Sequence, residues 1–197
     1  MTTVRNAESA WRDLTVGLTS LFGRLAPNVL DARLDATVQP MKKMHALKHL
    51  SAASQLGTGV TRSLCASVER LRNELQWRQN PNYAGAVFLD GYAYCELIGP
   101  HGHMHHSGVA LGLLLLGPHI TYPDHAHTAA EIYAVVAGHA EWLQGDRIWR
   151  GRTPGELIHH ASMEPHAMRT DDEPLLATYV WQDHLHEPAR LLDPPRD

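Results

Sequence analysis

From residue 86 onward the chain breaks into short runs of apolar and β-branched residues, each closed by Gly, Pro, Asp or a polar residue: AVFLDGYAYCELIG, VALGLLLLG, HITYP, EIYAVVAG, AEWLQG, RIWRG, ELIHHA and LLATYVW. Runs of this length and density, with no helical periodicity between them, predict strands that close into a sandwich or small barrel. QGD at 144–146 and TPG at 153–155 have the residue types of hairpin turns.

The first eighty residues follow a different rule. Trp11, Leu14, Leu18, Leu21 and Leu25 step by three and four, which predicts an amphipathic helix stopped by Pro27. Val60, Leu64, Val68, Leu71 and Leu75 repeat that stepping. MKKMHALKHL lies between them, with its lysines on a solvated face. NPNYAG at 80–85 is a turn-rich break. The expectation is a mainly β fold with two parts: an N-terminal helical segment over 1–80 and a β-barrel over 81–197.

Composition excludes several functions. A net charge of −4 gives no default attraction to nucleic acid or an anionic membrane. The longest apolar run, 109–117, is too short to span a bilayer. The opening residues lack a basic segment followed by an apolar core, and the two cysteines, Cys65 and Cys95, supply neither a disulfide framework nor a CxxC zinc motif. A soluble protein of the cytoplasm is expected. The fifteen histidines raise the expectation of a metal site without saying which of them hold it.

HAHTAAEIY at 125–133 is the densest chemical signal. On strands, residues of equal parity share a face, so His125, His127, Glu131 and Tyr133 gather on one side. On a helix, His125 and His127 would diverge. Two imidazoles and a carboxylate form a partial shell for Zn²⁺, Fe²⁺ or Mn²⁺. A polar strand edge with unrelated histidines is the competing reading.

Gly117, His125, His127, Glu131 and Gly138 resemble the first motif of the cupin superfamily, with seven residues between Gly117 and His125 where the motif usually has fewer. Pro154-Gly155-Glu156-Leu157-Ile158 followed by Glu164-Pro165-His166 resembles the second. The resemblance implies a cupin barrel, a double-stranded β-helix or jelly roll behind the helical layer, and one divalent metal ion held by His125, His127, Glu131 and His166. Within the cupins, YPDHAHTAAEIY, the AEW strand and PHA at 165–167 resemble the cupin-type dimethylsulfoniopropionate (DMSP) lyases, most of all their short DddQ-type branch. That family implies cleavage of DMSP to acrylate and dimethyl sulfide, with Tyr133 as base, His127, Glu131 and His166 as ligands, and His125 as a fourth ligand or a close neighbour of the metal. A cation such as a sulfonium prefers aromatic faces. Tyr122 and Trp181 are the expected contacts, with Trp142 and Tyr179 behind them. A cupin dioxygenase or isomerase, or a binding cupin without catalysis, would use the same shell but leave Tyr133 without a required role. The helical layer is compatible with packing against a second copy.

The other histidines are expected to be bystanders. HGHMHH at 101–106 reads as a solvated loop with no acidic partner. One of His159 and His160 must face inward if ELIHHA is a strand, and Asp124 faces away from the ligands by parity. Cys65 and Cys95 read as packing residues.

Overall fold

The computed structural model describes residues 2–23, 33–34 and 44–192. Helix α1 (Thr2–Phe22) buries Trp11, Leu14 and Leu18 of the predicted stripe together with Ala10 and Phe22, while Leu21 is only partly buried. It ends at Gly23, whose φ of 55° is a left-handed conformation that glycine adopts freely, rather than at a proline. Leu25, Pro27, Lys42 and Lys43 lie outside the described residues. A 3₁₀ turn (His45–His49) runs into α2 (Leu50–Gln55), with Lys48 exposed. Helix α3 (Arg62–Arg70) packs on α1 through Leu64 and Val68. It is shorter than the periodicity predicts: Val60 precedes it and is 79% exposed, and Leu71 and Leu75 are buried in the turns that follow.

The first predicted strand is in part a helix. Ala86–Gly91 forms α4, and the strand begins only at Tyr92. AVFLDG has β-like composition, but its six residues complete a short turn of helix that carries Phe88 onto the aromatic cluster below.

Strands β1 (Arg33–Leu34) and β2 (Trp77–Arg78) come from the N-terminal region. They are followed by β3 (Tyr92–Gly99), β4 (Met104–His105), β5 (Val109–Leu116), β6 (Thr121–Ala126), β7 (Ala130–Ala137), β8 (Ala140–Leu143), β9 (Trp149–Arg152), β10 (Leu157–His160), β11 (His166–Arg169), β12 (Leu175–Gln182) and β13 (Arg190–Leu191). One sheet runs β1-β4-β3-β5-β12-β7-β10, with β2 also on β3; the other runs β13-β6-β11-β8-β9. Only β3 and β4 pair in parallel among the described strands.

Two cores explain the sequence of β5. Leu111, Leu113 and Leu115 face the helices, whereas Leu114 and Leu116 face the second sheet. A strand covered on both sides shows a continuous apolar run instead of alternation, which is how VALGLLLL reads. Each such leucine contributes roughly 1.5–3 kcal/mol by leaving water.

The inward face of the large sheet is a set of rows. Glu131 on β7 lies opposite Trp181 on β12, which lies opposite Ala110 on β5. One step along, Tyr133 lies opposite Tyr179, then Gly112, then Glu96 on β3. Residues directly opposite share a face, so these rows form one wall of the space between the sheets.

Candidate metal centre

The two sheets meet at four side chains. His125 is the penultimate residue of β6 and lies opposite His166, the first residue of β11. His127 follows in the turn to β7, and Glu131 is the second residue of that strand. All four are buried. One ring nitrogen from each of His125, His127 and His166 falls within a group spanning less than 4.8 Å. Glu131 Oε2 is 3.0 Å from His127 Nε2 and 3.3 Å from His166 Nε2.

The other ring nitrogens are all engaged in the same way. Nδ1 of His125 donates to the Pro123 carbonyl at 2.9 Å, Nδ1 of His127 to the Ala129 carbonyl at 2.8 Å, and Nδ1 of His166 to the Glu164 carbonyl at 2.8 Å. A carbonyl only accepts, so each Nδ1 carries its hydrogen and leaves Nε2 free to bind a cation. His166 Nε2 is buried with no hydrogen-bond partner among the described residues. Such an atom is costly unless something supplies the missing bond. A cation held by the three imidazoles would satisfy it, and the Glu131 carboxylate beside them suits a divalent ion.

The charges reinforce this arrangement. Burial works against the Glu131 carboxylate, but the facing His127 and His166 side chains outweigh it and hold the group well below the usual range. Burial lowers His127, yet Glu131 overrides it and the net shift is upward. Burial, and then His166, push His125 well below the usual histidine value. The pocket therefore holds one carboxylate among imidazoles that cannot all be protonated.

Three neighbours orient these groups. The Trp181 indole N–H donates to Glu131 Oε1 at 2.6 Å, which leaves Oε2 for the imidazoles, and the Trp181 ring lies 4.3 Å from that of His127. Tyr122 stacks flat on His125 at 4.2 Å and 3°, its hydroxyl bonded to that of Tyr83 at 2.8 Å. His160 stacks on His166 at 3.9 Å and 14°. His160 is thus the inward member of the 159–160 pair, and burial, then His166, push it down to about 3.

A cavity of about 310 Å³ opens beside the cluster, lined by Glu131 and by six aromatic side chains: Tyr92, Tyr94, Tyr122, Tyr133, Tyr179 and Trp181. Tyr133 is 4% exposed, and burial followed by the Glu131 charge raises its phenol well above the ordinary value. Of the weaker aromatic candidates, Tyr179 lines the cavity, whereas Trp142 is wholly buried in the core between the sheets. Tyr92, Tyr94 and Glu96 were not singled out from the sequence. Their signal is the YxYxE alternation of β3, which lies thirty residues from the histidine motif.

The remaining expectations divide. Asp124 does face away, paired with Arg147 at 2.5 Å. Cys65 and Cys95 are free and buried, with burial pushing their thiols up to about 11 and about 12. The 101–106 stretch is not wholly a solvated loop. His103 is 8% exposed, its Nε2 accepts the Gln76 backbone N–H at 3.0 Å, and its ring lies 4.7 Å from that of Trp11. No helix among the described residues is long and apolar enough to cross a membrane.

The sequence profile of the dimethylsulfoniopropionate lyase family matches residues 22–177. The DddL protein of Cereibacter sphaeroides is 29% identical over 174 residues, covering 85% of this chain and 73% of its own. The dimethylsulfoniopropionate lyase DddQ of Ruegeria pomeroyi is 38% identical over 122 residues, 61% of this chain and 60% of that protein. The crystal structure of the R. pomeroyi DddQ superposes with a TM-score of 0.83 at 26% identity, covering 96% of this chain and 99% of that one. The fold extends to a sugar phosphate isomerase of the cupin superfamily from Silicibacter pomeroyi, with a TM-score of 0.51, 18% identity and 62% and 80% of the two chains covered. A barrel of two sheets, a buried imidazole cluster and a profile match across most of the chain lead to one assignment: the chain belongs to the dimethylsulfoniopropionate lyase family.

Proposed function

We propose that the chain cleaves DMSP to acrylate and dimethyl sulfide by β-elimination at the cavity wall formed by Glu131, Tyr133 and Trp181. The observation that carries this reading is the position of Tyr133. It lies two residues along β7 from Glu131 and lines the same cavity as Glu131, the carboxylate that faces His127 and His166. His125, His127, Glu131 and His166 would hold the ion, and their mixed N/O donor set accepts Zn²⁺, Fe²⁺ or Mn²⁺. When bound, the ion supplies Lewis acidity that draws electron density from the substrate carboxylate and makes the α-proton more acidic.

The chain's own residues do the rest. Tyr133, as phenolate, accepts the α-proton at its hydroxyl oxygen. The C–H electrons form the new double bond, the C–S bond breaks, and the sulfonium leaves as a neutral thioether that needs no acid. Beside Glu131 and buried, the phenol retains its proton. A cation held by these residues would offset that carboxylate and favour the phenolate. Trp181 and Tyr122 offer aromatic faces to the sulfonium, and Trp181 also aims Glu131. The two free, buried cysteines support a reducing compartment such as the cytoplasm.

Headspace measurement of dimethyl sulfide from metal-loaded protein and millimolar DMSP tests this. Wild type is expected to release it, and Tyr133→Phe to release it about 10²–10⁴-fold more slowly. Silence from wild type removes the lyase reading; undiminished release from Tyr133→Phe removes Tyr133 as the base.

A further inference from the structure

The cavity has a second carboxylate. Glu96 lines it from β3, on the wall that continues away from the imidazole cluster. It closes the row Tyr133–Tyr179–Gly112–Glu96 that crosses the large sheet. The gap in that row is Gly112. A Cβ there would lie 2.5 Å from the Tyr179 hydroxyl oxygen and 2.3 Å from the Cys95 carbonyl oxygen. Glycine at 112 therefore lets the Tyr179 phenol lie over β5, towards Glu96. The Glu96 side chain is half-buried and anchored: Oε1 accepts the His101 backbone N–H at 2.7 Å. No lysine or arginine lines the cavity among the described residues. Arg78, opposite Tyr94 across β2 and β3, donates instead to the His101 carbonyl at 2.8 Å.

Aromatic faces thus line the space beyond Tyr133, with the anchored Glu96 carboxylate among them. A group carrying a permanent positive charge and no hydrogen to donate is held there by ring faces at short range and by a charge at longer range. We propose that Glu96 is a specificity-determining residue: with Tyr94 and Tyr179 it forms a subsite that selects substrates whose end opposite the carboxylate is an onium cation over neutral molecules of the same shape. This rests on the reading that the cavity takes a carboxylate at the imidazole cluster.

The test separates charge recognition from shape. DMSP and 4-methylpentanoate have the same skeleton, with a neutral CH in place of the sulfonium sulfur. Their binding is measured calorimetrically on metal-loaded Tyr133→Phe protein, so that DMSP persists, with and without Glu96→Gln. Glutamine can still accept from His101, so the turn at 99–102 is kept, and thermal melting checks that it is. Glu96→Gln is expected to weaken DMSP about five- to tenfold and 4-methylpentanoate less than about twofold. Glu96→Asp, which keeps the charge, should recover part of the loss. Equal weakening of both ligands, or no change in either, overturns the proposal. Wild-type dimethyl sulfide release is scored in parallel. Its absence would defeat the lyase reading while the binding ratio still reports on Glu96.

Discussion

The histidines at 125, 127 and 166 and the histidine at 103 are all buried, yet they turn opposite nitrogens to their surroundings. In the first three, Nδ1 donates to a backbone carbonyl two residues away, so the Nε2 atoms converge on one another and on Glu131 instead of on a backbone N–H. In His103, Nε2 already accepts the Gln76 amide hydrogen. That lone pair is occupied, and the ring acts as a bolt between the chain before β2 and Trp11 of α1. His106, half-exposed, likewise accepts the Gly108 N–H at Nδ1, at 3.1 Å. A dense run of histidines is therefore a poor guide to metal binding. What matters is which nitrogen the backbone has tied and whether a carboxylate faces the other.

The contrast can be broken first through the carboxylate. Trp181→Phe keeps the ring beside His127 but removes the N–H that holds Glu131 Oε1. Metal affinity should fall about 10–100-fold, the usual cost of losing a hydrogen bond that orients a ligand. Competition with a chelator of known affinity checks this, and an unchanged constant would mean that Glu131 is positioned without the indole.

A smaller effect belongs to His103. Burial, then the Arg78 charge, push its folded value down to about 4 from an ordinary 6.5. Its folded form is neutral, so its stabilisation is present above pH 6.5. That contribution is lost as pH falls towards 4, because the unfolded chain takes a proton that the folded chain refuses. Thermal melting of His103→Gln, which can still accept from Gln76, should fall less steeply between pH 6.5 and 4, by a few degrees over that window. A slope equal to wild type would show that other groups set the acid sensitivity.

Parity made the centre legible, since HxHxxxExY places four side chains on one inward face whether or not the turn between β6 and β7 is known. His166 followed only from resemblance, and the structure sets it opposite His125. The far wall was not legible, because nothing local links Tyr94 or Glu96 to a motif thirty residues later; the link is the β3–β5–β12–β7 register. The misplaced features fail for local reasons. AVFLDG has strand composition on a stretch too short for periodicity to show, and Val60 matches a helical stripe one turn before the helix starts. Trp181 was expected as a face for a cation, and its indole N–H adds a second role that composition cannot reveal.

Equilibrium dialysis of a divalent ion against wild type, His127→Ala and His103→Ala measures the contrast directly. About one ion per folded chain is expected in wild type and His103→Ala, and at least about hundredfold weaker binding in His127→Ala, where a buried imidazole beside Glu131 is gone. Loss of the ion in His103→Ala with retention in His127→Ala would place the metal in the wrong histidine cluster.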